Sequence, residues 1–312
     1  MGNLLSVFFL FLCGLFFLVG CGQPREDQPI YLIIHADDYG MTNSHNLATV
    51  EAIRSSLVNS ASIMMPCAWA REGIRLMQEQ EDLDMDMGIH LTLTNEWPNY
   101  RWRPVAPISE VSSLVNEEGL MYPDCATLFE HAKIEEVEKE MRAQIELALS
   151  LGLTPNHIDG HMSCIFKGGS EYVAMFIRVA QEYGLLPMVQ QPYLEKLRSQ
   201  NPKLLEGLDL EKVPKIREVL IANHEAYDEK GLSAYYSEIL GKLKPGINIL
   251  LIHTAFDDEE MRVVTETFDY WHAPWRQEDF DYFHSEAAYK LIKEKNIQLI
   301  TWREVGEMMD NQ

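Results

Sequence analysis

Three short polar patches sit where apolar, strand-like runs end: His35-Ala36-Asp37-Asp38-Tyr39-Gly40, Gly88-Ile89-His90-Leu91-Thr92 and His157-Ile158-Asp159-Gly160-His161. Together they supply two adjacent carboxylates and several imidazoles. Hard oxygen beside borderline nitrogen on a rigid frame is a donor set for a divalent cation. A water held by such a cation, next to a spare carboxylate, becomes a nucleophile at neutral pH. The pattern is that of a metal-dependent hydrolase. Taken singly the patches say less: Asp37-Asp38 also suits a solvated turn, and His90 a hydrogen-bonded core histidine. The third patch is more demanding, because the period of a strand puts His157, Asp159 and His161 on one face.

The elements that must position these residues alternate. Apolar strands are expected at 30–36, 58–64, 87–93, 157–161, 186–190, 247–252 and 297–302, the sixth ending at His253. Helical patterns fall at 44–56, 68–80, 130–151, 171–183, 232–243 and 285–295. Short apolar runs alternating with helices argue for parallel strands joined by crossover helices. The polar patches lie at the carboxyl ends of strands, where barrels and open α/β enzymes place their sites. The expected fold class is α/β, a distorted (β/α) barrel rather than an open doubly wound sheet. No Gly-rich phosphate-binding motif follows the first strand.

Two stretches break the regularity. Residues 95–125 carry Trp97, Tyr100 and Trp102, and residues 257–275 carry Phe268, Tyr270, Trp271, His272 and Trp275. Loops this long act as lids or binding walls. Their aromatics either stack on the apolar face of a sugar ring or pack down as local cores.

The chain has 312 residues, 46% hydrophobic and 24% charged, enough for one large domain or two smaller ones. A net charge of -22 with no basic cluster argues against nucleic acid or an anionic membrane surface as partner. Residues 4–19 form a Leu/Phe-rich run of signal-peptide length, and Leu18-Val19-Gly20-Cys21 resembles a bacterial lipobox. The expected organisation is a lipoprotein signal at 1–20, a polar tether at 21–29 and a single catalytic domain at 30–312. Cys21 would carry the lipid, the only contact with the membrane; an uncleaved anchor is the alternative, and either exports the body. Of the remaining cysteines, Cys67, Cys125 and Cys164 cannot all pair, so at least one is free and no disulfide framework is implied.

Read together, Ile34-His35-Ala36-Asp37-Asp38-Tyr39-Gly40, the run Gly88-Ile89-His90-Leu91-Thr92-Leu93-Thr94, and Pro155-Asn156-His157-Ile158-Asp159-Gly160-His161 resemble the YdjC-like carbohydrate deacetylases. The likeness extends from residue 30 to about residue 304. It implies a distorted (β/α) barrel, one divalent cation, an N-acetylated sugar or oligosaccharide as substrate, and a homodimer. By motif position Asp38 is the carboxylate ligand, His90 and His161 the imidazole ligands, and Asp37 the general base. His253, after Leu250-Leu251-Ile252, is the general acid, although the family's usual Cys-His-Pro reads Ile252-His253-Thr254 here. Arg276 falls where the family carries an Arg that orients a catalytic carboxylate. His157 and Asp159 are expected behind the ligands, fixing their tautomer and tilt. A nearby carboxylate is expected to raise the pKa of His253. Two imidazoles favour Zn, Ni or Co, whereas a carboxylate with waters tolerates Mg, so Mg and Zn are not distinguished. Two rival readings stay open: another metal-dependent amide hydrolase, and a non-catalytic glycan-binding lipoprotein.

Overall fold

The computed structural model describes residues 29–311, apart from positions 81 and 84. The expected signal segment, Cys21 and nearly all of the tether lie outside the described residues.

Eight strands carry the fold: β1 (Ile30–Tyr39), β2 (Ser60–Ile63), β3 (Met87–Leu91), β4 (His157–Gly160), β5 (Leu186–Pro187), β6 (Ile216–Ile221), β7 (Gly246–Ile252) and β8 (Ile297–Leu299). They form one parallel sheet in the order β5-β4-β3-β2-β1-β7-β6, with β8 paired to β1. Helices fill the crossovers, as parallel pairing requires. The two outer strands approach through a single bridge between Gln190 and Ile216. The sheet therefore curls into a half-barrel, the distorted (β/α) barrel that the alternation of elements predicts.

β1 is the axis of this sheet. β7 and β8 both pair its first residues, so they flank it on opposite edges, and β2 takes over the β8 edge from His35 onward. Asn59 stitches that hand-over. Its side chain accepts from the Ile34 N–H at 2.9 Å and donates to the Ile300 carbonyl at 2.8 Å.

Alternation along the strands sorts the apolar residues into two layers. Leu32, Ile34, Leu250 and Ile252 belong to the large core under the helices. Ile33, Ile249, Met188 and Trp302 form a smaller core inside the curl. Trp302 is fully buried and stacks on His157, with ring centroids 4.8 Å apart, as a floor beneath the polar residues.

Three expected elements differ from those observed, and one observed strand is not among those expected, each for a local reason. The long charged helix is two, Cys125–His131 and Ile134–Ser150, the first capped by Asp124, which accepts from the Thr127 N–H. The last strand stops at Leu299 because Thr301 and Glu304 form a capping box that starts the helix Trp302–Asp310. The expected strand at 186–190 pairs with β4 through Leu186 and Pro187 alone, and Gln190 only bridges to β6. β6 has no counterpart in the sequence reading: it is an outer strand whose apolar residues Ile216 and Val219-Leu220-Ile221 are split by Arg217 and the exposed Glu218.

Candidate metal centre and active site

The period of a strand would set adjacent Asp37 and Asp38 on opposite faces. β1 breaks that period at its end. Asp38 takes φ 65°, and the register with β2 slips between Ala36 and Tyr39. Asp tolerates this left-handed conformation better than most side chains. Both carboxylates consequently line the mouth of the half-barrel. Gly40 completes the turn with φ 87°, and a Cβ there would stand 2.9 Å from Ile63 Cγ1 and 3.0 Å from Ala70 Cα, so glycine is required.

Three buried atoms converge at the mouth. Asp38 Oδ1 lies 3.4 Å from His90 Nε2 and 3.3 Å from His161 Nδ1, and the two nitrogens are 3.2 Å apart. Asp38 Oδ1 has no hydrogen-bond partner among the described residues although it is buried. Three donors just over 3 Å apart fit around one ion held at about 2.0–2.2 Å from each. One carboxylate oxygen and two imidazole nitrogens suit Zn and tolerate Mg, so these residues fit a divalent cation.

The other oxygen of Asp38 is pinned: Arg276 Nη1 donates to Oδ2 at 2.8 Å. Arg276 is itself held by the Trp271 carbonyl (2.8 Å) and His45 Nε2 (2.5 Å), and lies over the Trp97 ring at 5.2 Å. Burial would raise the Asp38 carboxyl, but the Arg276 guanidinium, with the nearby His161 and His90 imidazoles, holds it well below the usual range. Burial likewise works against charge on His161; the Glu96 and Asp38 carboxylates outweigh it and lift that imidazole to about 9. The field at the three donors favours positive charge.

Asp159 stands behind His90, taking Nδ1 at 2.6 Å with Oδ1 and His35 Nε2 at 2.8 Å with Oδ2. Its grip on Nδ1 leaves His90 Nε2 facing Asp38. Burial would raise Asp159, yet His90 and His35 hold it well below the usual range. His157 is different. Its Nδ1 meets Asn156 Oδ1 at 2.5 Å and its ring stacks on Trp302, a layer below the three ligands. Two residues along a strand is a rise of about 6–7 Å, so sharing a face with Asp159 does not bring His157 to His90 or His161. Gly88 makes room for it, since a Cβ there would fall 2.2 Å from His157 Nε2.

Asp37 is nearly buried, and its Oδ1 accepts no hydrogen bond although His35 Nε2 is 3.3 Å away. Burial pushes its carboxyl up to about 7, with His90 pulling down and Asp159 pushing further up. Oδ2 lies 3.9 Å from His253 Nε2. His253 is fixed from the far side, where its backbone N–H donates to Asp279 Oδ2 at 2.9 Å. The expected rise in the His253 pKa does not occur. Burial pushes it down to about 3; Asp38 opposes this, but Arg276, His90 and His161 add repulsion.

Three groups at this site escaped the sequence reading. His35 belongs to the first patch and shares the face of Asp37 two residues on, a signal that was available. Glu96, which meets His161 Nε2 at 2.7 Å, comes from the irregular 95–125 loop. His45 lies in the first turn of the helix Asn43–Ser55 and meets Arg276, which in turn holds Asp38.

Above the three donors opens a cavity of about 490 Å³. Trp97, Phe268, Tyr270 and Trp271 contribute walls, with Lys167 and Asp269 as charged members. Trp102 and Trp275 pack down into the body instead, at 4% and 1% exposure. Cys125 and Cys164 form a disulfide, leaving Cys67 as the free thiol among the described residues, and it is buried. The bond anchors the chain three residues beyond His161, past a turn in which Met162 and Ser163 have φ 52° and 53°.

Comparison with known proteins bears on all of this. The family model for YdjC-like proteins matches residues 31–294. The chain is 32% identical to a carbohydrate deacetylase of Thermus thermophilus, over 89% of this chain and 94% of that one. It is 27% identical to a carbohydrate deacetylase of Thermoanaerobacter pseudethanolicus, over 87% of this chain and 98% of that one. Its fold matches a crystal structure from Enterococcus faecalis V583, of a protein named for a proposed role in cellobiose-phosphate cleavage. The TM-score is 0.71 at 20% identity, covering 89% of this chain and 99% of the other. The chain belongs to the YdjC-like family.

Proposed function

We propose that the protein is a metal-dependent carbohydrate N-deacetylase. The observation that carries this reading is the convergence of Asp38, His90 and His161 beside Asp37, whose buried Oδ1 accepts no hydrogen bond. Two relatives that match nearly end to end bear the name carbohydrate deacetylase. Asp38, His90 and His161 would hold one divalent cation, Mg or Zn, which when bound would polarise the amide carbonyl and acidify a water.

The remaining work falls to the chain. Asp37 takes the proton of the attacking water, and a carboxyl near 7 suits a base acting at neutral pH. Asp37, once protonated, passes that proton to the more basic leaving amine, and His253, a neutral imidazole with Nε2 facing Asp37 across 3.9 Å, is placed to orient the transfer. Arg276 keeps Asp38 ionised and aimed, and Asp159 keeps His90 in the tautomer that presents Nε2. Phe268, Tyr270 and Trp271 offer ring faces to a sugar. The C–N bond breaks, releasing acetate and an amino sugar. The acidic molecule disfavours a phosphorylated substrate.

Metal analysis of purified Asp38→Ala, His90→Ala and His161→Ala tests the ligand set, with circular dichroism to follow folding. Each variant loses its cation and stays folded; full occupancy in any one removes that residue from the set.

A further inference from the structure

A second cavity, of about 220 Å³, adjoins the first. Asp37, Gly160, Ser163 and Leu251 line both, whereas Asp38, His90 and His161 line only the larger one. Beyond the shared residues its walls are Phe166, Met188, Tyr193 and Val219, with Gln190 and Asp159 as polar members. It lies where the sheet fails to close. Val219 comes from β6, Leu251 from β7, and Met188 and Gln190 from just beyond β5.

Asp37 therefore stands at a junction. An amide carbon attacked beside it has two substituents that diverge, the nitrogen bearing the sugar and the carbon chain of the acyl group. The larger cavity, with aromatic and charged walls, suits the sugar. The smaller one is lined mainly by apolar side chains. An acetyl methyl would fill little of it: an apolar cavity of about 150 Å³ already accepts a benzene ring, and this one is larger.

We infer that the second cavity receives the acyl chain, and that the enzyme removes straight N-acyl groups of up to about six carbons, not acetyl alone. The inference rests on the deacetylase reading above. The chemistry is the same hydrolysis. Oxygen from water bonds to the carbonyl carbon, the C–N bond breaks, a proton goes to the amine, and the products are a carboxylate and an amino sugar.

The test is a series of one N-acylated chitooligosaccharide bearing acetyl, propionyl, butyryl or hexanoyl groups, with free amine measured on the cation-loaded enzyme. kcat/KM holds or rises along the series, by up to about fourfold per methylene as burial of one methylene gives, and for hexanoyl it falls no more than tenfold below the acetyl value. Val219→Trp lowers kcat/KM for hexanoyl at least tenfold more than for acetyl, and Val219→Ala raises the hexanoyl-to-acetyl ratio. The inference is overturned if acetyl is cleaved but each added methylene costs tenfold. It is equally overturned if both Val219 variants shift the two substrates alike. Cleavage of none of the series, acetyl included, overturns the deacetylase reading and this inference with it.

Discussion

Asp37 and Asp38 are neighbours in sequence with opposite electrostatic fates. Arg276 holds Asp38 ionised despite complete burial, while Asp37, without such a partner, is pushed up to about 7. One is suited to bind a cation and the other to move a proton. Asp37→Asn should keep the metal and lose about two to four orders of magnitude in kcat, the range general-base catalysis supplies. The wild-type activity should also rise with pH through the Asp37 pKa, at or below about 7 because a bound cation lowers it, and the variant should lack that limb. Metal lost together with activity would instead make Asp37 a ligand. The types and order of Asp37, Asp38, His90 and His161 are legible in the sequence because polar residues ending apolar runs stand out. Their common orientation is not: it depends on the positive φ of Asp38, which no side-chain pattern announces.

At the scale of elements, the turn after His161 links the site to the fold. Met162 and Ser163 both adopt left-handed φ there, and the disulfide from Cys164 to Cys125 ties the turn to the helix that follows the 95–125 loop. Glu140 secures the same loop from below, accepting the Val105 and Ala106 N–H groups at 2.9 and 2.8 Å. A bridge spanning 39 residues stabilises by about 4 kcal/mol in the chain-entropy picture. Cys125→Ser should therefore unfold in urea with about 2–4 kcal/mol less stability than wild type; equal stability would mean the bond constrains nothing. Sequence composition left the pairing among Cys67, Cys125 and Cys164 open, because which two approach depends on long-range packing. The strands carrying His90 and preceding His253 are readable as buried apolar runs, whereas β6 is not, because Arg217 and Glu218 split its apolar residues at the sheet edge.

For the whole molecule, the curl of one parallel sheet gathers residues from β1, β3, β4 and β7 at one mouth, and that gathering follows from alternating strands and helices. The aromatic walls were foreseen as loops but not sorted: Trp102 and Trp275 pack inward while Phe268, Tyr270 and Trp271 line the cavity. We propose that the chain is exported and lipid-anchored at Cys21, a setting in which a disulfide persists. Cys21→Ser should move the protein from the membrane fraction to the soluble one; retention in the membrane would favour an uncleaved anchor. The central claim is that a cation held by Asp38, His90 and His161 supports hydrolysis of an N-acetyl group on a sugar. The most direct measurement is acetate and free amine released from N-acetylated oligosaccharides before chelation, after it, and after add-back of Zn or Mg. The account predicts equal amounts of acetate and amine, loss of both on chelation and recovery with the cation. Release that survives chelation with no cation left in the protein, or none at all from the cation-loaded enzyme across the panel, would contradict it.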